Sequence, residues 1–330
     1  MARVIRFHKT GGPEVLQIDE VDIGAPGPGE MRLRVRAFGL NRAEAMFRSG
    51  MYLEQPKLPG RLGYEAAGTV EAIGEGVTGF AIGDKVSTIP AFSMNQYSVY
   101  GEQAIVPAAA TVKHPDNLSW EQAAAIWMQY LTAYGALIDV AQLVPGDAVI
   151  ITAASSSVGL AATQIANATG AISIATTRTR AKREALLGHG AQHVITTEDQ
   201  NLAEEVKRIT SGNGARVTFD PVAGEGVETL AQAAAQGGTI ILYGALAHSA
   251  TPFPLFAALR KGLTLRGYTL FEVVGNPERM AKGKQYVLDG LASGKLKPII
   301  AKTFPFEKIV DAHRFMESNE QIGKIIVTVD

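Results

Sequence analysis

The turn at residues 153–159, Ala-Ala-Ser-Ser-Ser-Val-Gly, contains the small residue types that let a backbone lie close to a phosphate. It follows a nearly all-apolar run at 148–152, which is typical of a buried parallel strand. A helical pattern at 160–168 and a second apolar run at 172–176 come next. Strand, small-residue turn, helix and strand indicate a dinucleotide-binding βαβ unit, in which a pyrophosphate lies at the helix N-terminus.

The serines of this turn leave two interpretations open. A strict G-x-G-x-x-G is absent, and of its glycines only Gly159 remains. Serine hydroxyls can donate to a phosphate, but a serine that only caps a helix gives the same pattern. Because the second strand carries a signal of its own, we favour cofactor binding and expect Ser156, Ser157 and Val158 to hold the pyrophosphate.

The end of the second strand carries cations where most NAD-binding units have an acid. Those units place Asp or Glu about 20 residues after the glycine turn, where it accepts from the ribose 2′-hydroxyl. Here Thr177 and Arg178 stand at the strand end and Lys182 follows. Guanidinium and phosphate form charge-assisted hydrogen bonds, so these residues favour NADPH over NADH. The alternative, a solvated basic start of a helix, conflicts with the helix dipole.

The composition limits the classes of function. The 330 residues are enough for two domains, and the net charge of −1 provides no basic field for nucleic acid. The absence of cysteine excludes disulfides, thiol nucleophiles and cysteine-ligated metals. No secretory signal and no apolar run near the roughly 18 residues of a membrane helix are visible. We therefore expect a cytoplasmic protein without membrane or nucleic-acid partners.

The pattern of the chain changes near residue 120. Before it, short apolar runs separated by Gly and Pro predict a β-rich domain; after it, strands and helices alternate and predict a doubly wound parallel sheet. Between them, residues 121–140 are predicted as one helix, capped by Ser119 with Gln122 three residues on. The predicted strands are 4–7, 16–21, 31–40, 65–73, 85–88, 148–152, 172–176, 192–195, 215–219, 238–243 and 263–270. The predicted fold class is α/β.

Nearly the whole chain resembles the medium-chain dehydrogenase/reductase superfamily, in its zinc-free quinone oxidoreductase (zeta-crystallin-like) branch. The resemblance implies a GroES-like β domain at 1–122, completed by 263–330, and a Rossmann NADPH-binding domain at 123–262. It also implies a homodimer formed through sheet edges, to which the segment 263–270 would contribute. The matching stretches follow the family's order and are 11–16 (GGPEVL), 59–68 (PGRLGYEAAG), 83–86 (GDKV), 131–134 (LTAY) and 147–159.

The metal ligands of the zinc-dependent relatives are missing. Those relatives have a Cys near position 41 and a His before the Glu at 65, where this chain has Asn41 and Tyr64. Its six histidines also lack ligand spacing, so we expect no metal. Without a Lewis acid, alcohol oxidation is disfavoured. Hydride transfer to a quinone or an α,β-unsaturated carbonyl compound is feasible, because the acceptor spreads the developing negative charge.

The resemblance implies catalytic roles for two residues of the first domain. Asn41 should face the active site, where its amide would bond the cofactor or an acceptor oxygen; the alternative is a turn-forming Asn at a strand end. Tyr52 resembles a tyrosine close to the nicotinamide and would donate a hydrogen bond or a proton, or only line the wall. Tyr64 is expected to pack in the core.

Further cofactor contacts are expected in the second domain. The counterpart of Thr132 bonds the nicotinamide side, the alternative being a bond back to its own helix. Gly244 and Ala245 follow the fifth strand, and ligands lie outside the carboxyl ends of such strands. Phe271 would close over the cofactor ring or pack in the core. Asp220, in an Asp-Pro pair, is expected to be a turn residue rather than an acid.

The leading hypothesis is a zinc-independent, NADPH-dependent reductase of quinones or α,β-unsaturated carbonyl compounds. One alternative is a non-catalytic NADPH- or RNA-binding protein of the zeta-crystallin type, although the near-zero net charge weighs against RNA. Another is an alkenal or enoyl-thioester reductase. The proton donor is either Tyr52 or water.

Overall fold

The computed structural model describes residues 1–330, which form two compact units. The first consists of Met1–Met128 and Pro298–Asp330, and the second of Gln129–Lys297. The predicted domain boundaries, after 122 and after 262, differ from these. The sixth parallel strand and the long helix that follows it belong to the second unit, so the chain returns to the first unit only at Pro298.

Sixteen strands are present. They are β1 (Ala2–Phe7), β2 (Leu16–Val21), β3 (Glu30–Gly39), β4 (Gly60–Arg61), β5 (Glu65–Ile73), β6 (Lys85–Thr88), β7 (Gln103–Pro107), β8 (Thr111–Lys113), β9 (Ala148–Ile151), β10 (Ile172–Thr177), β11 (His193–Thr196), β12 (Ala215–Asp220), β13 (Ala234–Leu242), β14 (Thr264–Gly267), β15 (Ile300–Pro305) and β16 (Lys324–Thr328).

Eleven α-helices connect or follow the strands. They are α1 (Arg42–Arg48), α2 (Trp120–Ala123), α3 (Trp127–Tyr134), α4 (Ser157–Thr169), α5 (Arg183–Gly188), α6 (Leu202–Ile209), α7 (Gly226–Ala233), α8 (Leu255–Lys261), α9 (Phe271–Val274), α10 (Pro277–Ala292) and α11 (Ile309–Glu317).

The first unit is built around β3. Its odd-numbered residues from Met31 to Val35 are buried while the residues between them face outward, the alternation of a strand with one covered face. β3 pairs antiparallel with β5, β7 and the C-terminal β16 in a seven-stranded sheet. Six of its strands follow the order β15-β16-β3-β5-β6-β8, and the seventh, β7, pairs with β3 outside that order. A three-stranded sheet, β2-β1-β4, completes the unit.

The second unit contains a six-stranded parallel sheet of order β11-β10-β9-β12-β13-β14. All four residues of β9 are buried, as expected of a strand covered on both faces. The strand order reverses between β9 and β12, and ligands of such sheets bind at that reversal, outside the carboxyl ends of the strands. The predicted α/β class is confirmed.

The prediction of one continuous helix at 121–140 is wrong. The structure has α2, α3 and then a π-helical segment, Gly135–Val140, with a break at 124–126. The predicted cap is confirmed, because the Ser119 hydroxyl accepts from the Gln122 N–H at 3.2 Å. The break lies where the backbone approaches β3: a Cβ placed on Gly39 would be 2.5 Å from the Ala124 carbonyl oxygen. Tight packing of small residues here overrides helix propensity.

Candidate active site

The small-residue turn between β9 and α4 forms a helix N-terminus suited to an anion. Ser156 is the N-cap of α4, and its hydroxyl accepts from the Gly159 N–H at 3.0 Å. The helix cap that was the alternative interpretation of the serines is therefore present, at Ser156. The first N–H groups of any α-helix lack partners within it, so the first turn, with Ser157 and Val158, retains its attraction for a phosphate.

Gly159 is required by close packing in this turn. A Cβ at this position would lie 2.7 Å from both the Cα and the carbonyl oxygen of Ala154, and 2.8 Å from the carbonyl oxygen of Ala153. Ala153 itself has a φ of 45°, a left-handed conformation that is uncommon outside glycine. The turn thus keeps the tight geometry of a glycine-rich loop although most of its glycines are replaced.

Cations lie at the end of β10, next to this turn. Thr177 ends the strand, and the Arg178 side chain that follows is 84% exposed, with its Nε 3.5 Å from a Glu198 carboxylate oxygen. The Lys182 ammonium donates to the Ser155 hydroxyl at 3.1 Å. An exposed ion pair of this kind contributes little and is readily exchanged for a phosphate. Binding of the 2′-phosphate of NADPH by Thr177, Arg178 and Lys182 stays a prediction.

The carboxyl ends of β12 and β13 lie side by side. Asp220 is the last residue of β12, and its carboxylate stabilises the turn that follows: it accepts from the Thr152 hydroxyl and from the N–H of Ala223 at 2.7 Å. Burial raises the pKa of the Asp220 carboxyl. At Gly244 a Cβ would be 2.7 Å from the Pro221 carbonyl oxygen, so glycine is needed for this close approach.

The other predicted cofactor contacts also belong to the second unit. Ala245 follows Gly244 on an exposed stretch. Thr132 is 7% exposed within α3, and Phe271, the first residue of α9, is 36% exposed. Cofactor contact by these three residues stays a prediction.

The predicted catalytic residue Asn41 lies at the N-terminus of α1 within a buried polar network. Its Oδ1 accepts from the Lys324 ammonium at 2.6 Å, and its Nδ2 donates to a Glu44 oxygen at 3.1 Å and to the Gly39 carbonyl at 3.3 Å. Lys324 also donates to the Glu65 carboxylate at 2.6 Å. Both ends of the Asn41 amide are therefore occupied within the first unit.

The network holds one carboxylate more than it holds cations. Lys324, Glu65 and Glu44 are each at most 1% exposed, and Lys324 pairs directly with Glu65. Burial raises the pKa of Glu44 to about 7, against the lowering effects of the Asn41 hydrogen bond and of the Lys324 charge. Glu44 is thus the group of this network that exchanges a proton near neutral pH.

Tyr64 belongs to the hydrophobic core of the first unit, and Tyr52 packs against that core. Tyr64 is 1% exposed and packs against Phe92 with ring centroids 5.8 Å apart, so its expected place in the core is observed. Tyr52 is half-buried and meets the Phe47 ring edge-on at 6.5 Å. Burial raises the pKa of Tyr52 to about 12, while the Tyr64 hydroxyl acts to lower it. Tyr52 therefore holds its proton at neutral pH.

Sequence reasoning missed Glu44, Glu65 and Lys324. One signal for Glu44 was present, because an Asn followed three residues later by Glu is the spacing of a helix capping box. In the structure the Glu44 carboxylate accepts from the Asn41 backbone N–H at 2.5 Å. A lone Lys324 at the start of an apolar strand was the other signal.

A second buried polar group in the first unit centres on His313. The ring is fully buried, and its Nδ1 accepts from the Arg48 guanidinium at 2.8 Å. Arg48 also donates to the Glu317 carboxylate at 2.8 Å. Burial, together with the positive charge of Arg48, lowers the pKa of His313 to about 3. The folded first unit therefore keeps this histidine neutral.

His313 and Glu44 should give opposite pH dependences of stability. The folded pKa of His313 is depressed, so its contribution is lost as pH falls from about 6.5 towards 3. The folded pKa of Glu44 is raised, so its contribution is lost as pH rises from about 4.5 through 7. Between about pH 4.5 and 6.5 the two slopes cancel, each being at most about 1.4 kcal/mol per pH unit.

Single substitutions should expose each slope. Relative to the wild type, His313→Gln is expected to become less stable as pH rises across this window, and Glu44→Gln more stable. Urea unfolding followed by tryptophan fluorescence measures this in the first unit, because both tryptophans, Trp120 and Trp127, belong to it. Parallel pH curves for wild type and both variants would contradict the assignment.

Two further observations concern metals and membranes. No group of three or more His, Cys, Asp or Glu side chains in the structure is arranged to hold a metal ion. None of the helices combines the length and the apolar character needed to cross a membrane.

Family models match both parts of the chain. The model described as the alcohol dehydrogenase GroES-like domain matches residues 27–116, and the model described as zinc-binding dehydrogenase matches residues 157–285. The first match falls in the β-rich unit and the second in the unit with the parallel sheet.

Relatives match over almost the full length. The quinone oxidoreductase of Pseudomonas aeruginosa is 32% identical over 328 residues, covering 99% of both chains. The 2-haloacrylate reductase of a Burkholderia species is 31% identical over 335 residues, covering 99% of this chain and 98% of that protein. The crystal structure of the Escherichia coli quinone oxidoreductase complexed with NADPH is similar with a TM-score of 0.90 and 31% identity, covering 99% of this chain and 100% of that one.

Proposed function

Because the chain belongs to the zinc-free quinone oxidoreductase branch of the medium-chain dehydrogenase/reductase superfamily, we propose that it is an NADPH-dependent oxidoreductase. Its acceptors are quinones or α,β-unsaturated carbonyl compounds. The observation that carries the proposal is the α4 N-terminus at Ser156, with the Lys182 ammonium bonded to the adjacent Ser155 hydroxyl. That arrangement suits a dinucleotide that carries an additional phosphate.

The cofactor is held mainly by the second unit in this proposal. The first turn of α4, with Ser156, Ser157 and Val158, binds the pyrophosphate. The residues at the end of β10, Thr177, Arg178 and Lys182, bind the 2′-phosphate. The remaining contacts are with Thr132, Gly244, Ala245 and Phe271. When bound, NADPH supplies the hydride.

The first unit supplies the groups for the acceptor. Tyr52 is the candidate proton donor, because it is half-buried and holds its proton at neutral pH. Asn41 is held between Lys324 and Glu44 and contributes a fixed dipole to the site. Orientation of the acceptor and exclusion of water then favour hydride transfer without the Lewis acid that polarises the substrate in the zinc-dependent members of the superfamily.

The test is NADPH oxidation by the purified protein, followed by the loss of NADPH absorbance and compared with NADH. The acceptors are benzoquinone, phenanthrenequinone, an enal, an enone and a 2-haloacrylate, the last because one relative is named for that substrate. Turnover of quinones with a preference for NADPH is expected. Turnover of the alkenes alone would make the protein an alkene reductase, and tight NADPH binding without any turnover would overturn the catalytic proposal.

We also propose that the protein is a cytoplasmic homodimer that pairs the β14 edges of two parallel sheets. β14 is the last strand of its sheet, and the helix before it, α8, exposes Phe256 by 78% and Leu259 by 72%. An open strand edge beside exposed apolar side chains is stabilised by pairing with a second copy. Sedimentation equilibrium should give a dimer for the wild type and a monomer for the double variant Phe256→Glu with Leu259→Glu. A monomeric wild type would refute the proposed dimer.

A further inference from the structure

The segment that carries Tyr52 connects α1 to β4 without regular secondary structure of its own. Exposure alternates along it: Met51 and Leu53 are 59% and 72% exposed, whereas Tyr52 and Glu54 are half-buried. Tyr52 and Glu54 therefore lie on the covered side of the segment. An irregular connection has many accessible conformations, so the position of the Tyr52 hydroxyl depends on the contacts that hold the segment.

Before Tyr52, the segment is held by α1. The Met51 N–H donates to the Met46 carbonyl at 2.8 Å, and the Tyr52 ring meets the Phe47 ring edge-on. These contacts fix the backbone as far as Met51. A separate set of bonds holds the residues that follow Tyr52.

After the tyrosine, the Glu54 carboxylate bonds the segment to a turn that begins at Ser93. It accepts from the Ser93 hydroxyl at 2.6 Å, from the Met94 N–H at 3.1 Å and from the Asn95 amide at 3.3 Å. All three donors belong to consecutive residues, so one side chain joins the two segments. Because the acceptor is a carboxylate, these bonds are stronger than bonds between neutral groups.

Asn95 adds a second connection between the same two segments. Its Nδ2 donates to the Gln55 carbonyl at 2.9 Å, and its Oδ1 accepts from the Lys57 N–H at 2.8 Å. The side chain thus pairs with the backbone on both sides of Pro56. Since Glu54 and Asn95 also bond each other, the two residues together hold the backbone from 54 to 57.

The turn that receives these bonds is itself anchored to the seven-stranded sheet and to the core. The Tyr97 hydroxyl donates to the Glu30 carboxylate, at the start of β3, at 2.7 Å. The Tyr97 ring meets Phe92, which is 7% exposed and belongs to the hydrophobic core of the first unit. The bonds of Glu54 and Asn95 therefore end on a part of the chain that the core holds in place.

We propose that Glu54 and Asn95 are positioning residues, which fix the segment 52–57 so that the Tyr52 hydroxyl is held in place for proton donation. The inference rests on the proposed reductase function. The acceptor gains a hydride from NADPH and a proton from Tyr52: the Tyr52 O–H bond breaks as an O–H or C–H bond forms on the acceptor. The phenolate then regains a proton from water. Glu54 and Asn95 act on the rate only through the position of Tyr52.

A double-mutant cycle tests this coupling. Glu54→Gln keeps the size of the side chain but replaces one carboxylate oxygen by an amide nitrogen, which cannot accept from Ser93 or Asn95. In the wild-type background it is expected to lower kcat about 10-fold, within the roughly 100-fold that a 1 Å displacement can cost. In a Tyr52→Phe background it should have no further effect. The solvent isotope effect on kcat should also change with Glu54→Gln, while the Kd for NADPH should not.

Asn95→Ala is the second variant, and hydrogen–deuterium exchange is the measurement that does not depend on turnover. Without the Asn95 side chain, the Lys57 N–H loses its acceptor, so amide exchange in the peptide 52–58 should become at least about 10-fold faster. Exchange in this peptide should also rise in Glu54→Gln. The kcat of Asn95→Ala should fall in the wild-type background and not in Tyr52→Phe.

Glu71→Gln is the matched control. Glu71 is a half-buried carboxylate of β5 in the same unit, and it accepts from the Gln103 side chain at 2.7 Å. It also pairs with Arg32 and Arg34, and none of these partners belongs to the segment 52–57. This variant should leave kcat, the isotope effect and the exchange of the peptide 52–58 unchanged.

Three results would overturn the inference. One is an unchanged kcat in Glu54→Gln and Asn95→Ala, and another is an equal loss in the wild-type and Tyr52→Phe backgrounds, which would indicate a merely structural effect. A third is unchanged exchange of the peptide 52–58 in both variants. If the wild type reduces no acceptor, the proposed function fails and this inference falls with it, a result distinct from an active wild type whose rate does not depend on Glu54 and Asn95.

Discussion

Arg178→Ala is expected to weaken NADPH binding by about 10- to 100-fold and to leave NADH binding nearly unchanged. The guanidinium is 84% exposed, and its carboxylate partner, Glu198, is 3.5 Å away. Only NADPH brings a 2′-phosphate to this place, and charge-assisted hydrogen bonds to phosphate are lost when the guanidinium is removed. Fluorescence titration with each cofactor gives the two Kd values, and their ratio shows whether Arg178 discriminates NADPH from NADH.

Arg180→Ala is the matched control for this prediction. Arg180 lies two residues further on, is 78% exposed and is bonded to Asp199 at 2.8 Å. Its substitution therefore removes the same charge from the same surface as Arg178→Ala does. A general loss of positive field would weaken NADPH binding equally in both variants. A wild type that binds NADH as tightly as NADPH would refute the role of Arg178 altogether.

Lys324→Met is expected to lower the free energy of unfolding of the first unit by about 3–5 kcal/mol. Lys324 is 1% exposed, and Glu65, its partner at 2.6 Å, is fully buried. Removing the ammonium leaves the Glu65 carboxylate with the Met128 N–H, 3.2 Å away, and without a compensating charge. It also releases the Oδ1 of Asn41.

The variant Lys324→Met with Glu65→Gln should regain much of this loss, because the Glu65 charge that Lys324 compensated is removed together with the ammonium. Lys9→Met, an exposed lysine of the same unit, is the control for loss of a positive charge. Tryptophan fluorescence during urea unfolding follows the first unit in all three variants. If Lys324→Met were no less stable than Lys9→Met, the buried pair would have no structural importance.

Much of the nucleotide-binding unit was determined by local sequence. Its strands are continuous apolar runs, its turn at 153–159 consists of small residues, and Gly170 ends α4 in a left-handed conformation with φ of 80°. Each of these signals lies within a few residues of the structure that it specifies, and local propensity and pattern are enough to predict it. The family motifs at 11–16, 59–68 and 83–86 likewise predicted the β-rich unit.

The tertiary structure decided what distant residues do together. Lys324 bonds Asn41 across 283 positions and Glu65 across 259, and no local pattern carries such a pairing. The break in the helix predicted at 121–140 also has a distant cause, the close approach of β3 at Gly39. The second unit extends to Lys297, beyond the predicted boundary at 262. It includes β14 because that strand pairs with β13 at the edge of the parallel sheet, and strand pairing is decided by the fold rather than by sequence order.

The sequence by itself therefore determined the βαβ unit, the missing metal ligands and the cations beside the turn, because each depends on residue type at a short spacing. Folding alone decided that Asn41 is held by Lys324 and Glu44 and that Tyr64 packs against Phe92. Burial brings these groups out of water, and the free energy of a charge or a hydroxyl there depends on partners that only the packed chain provides.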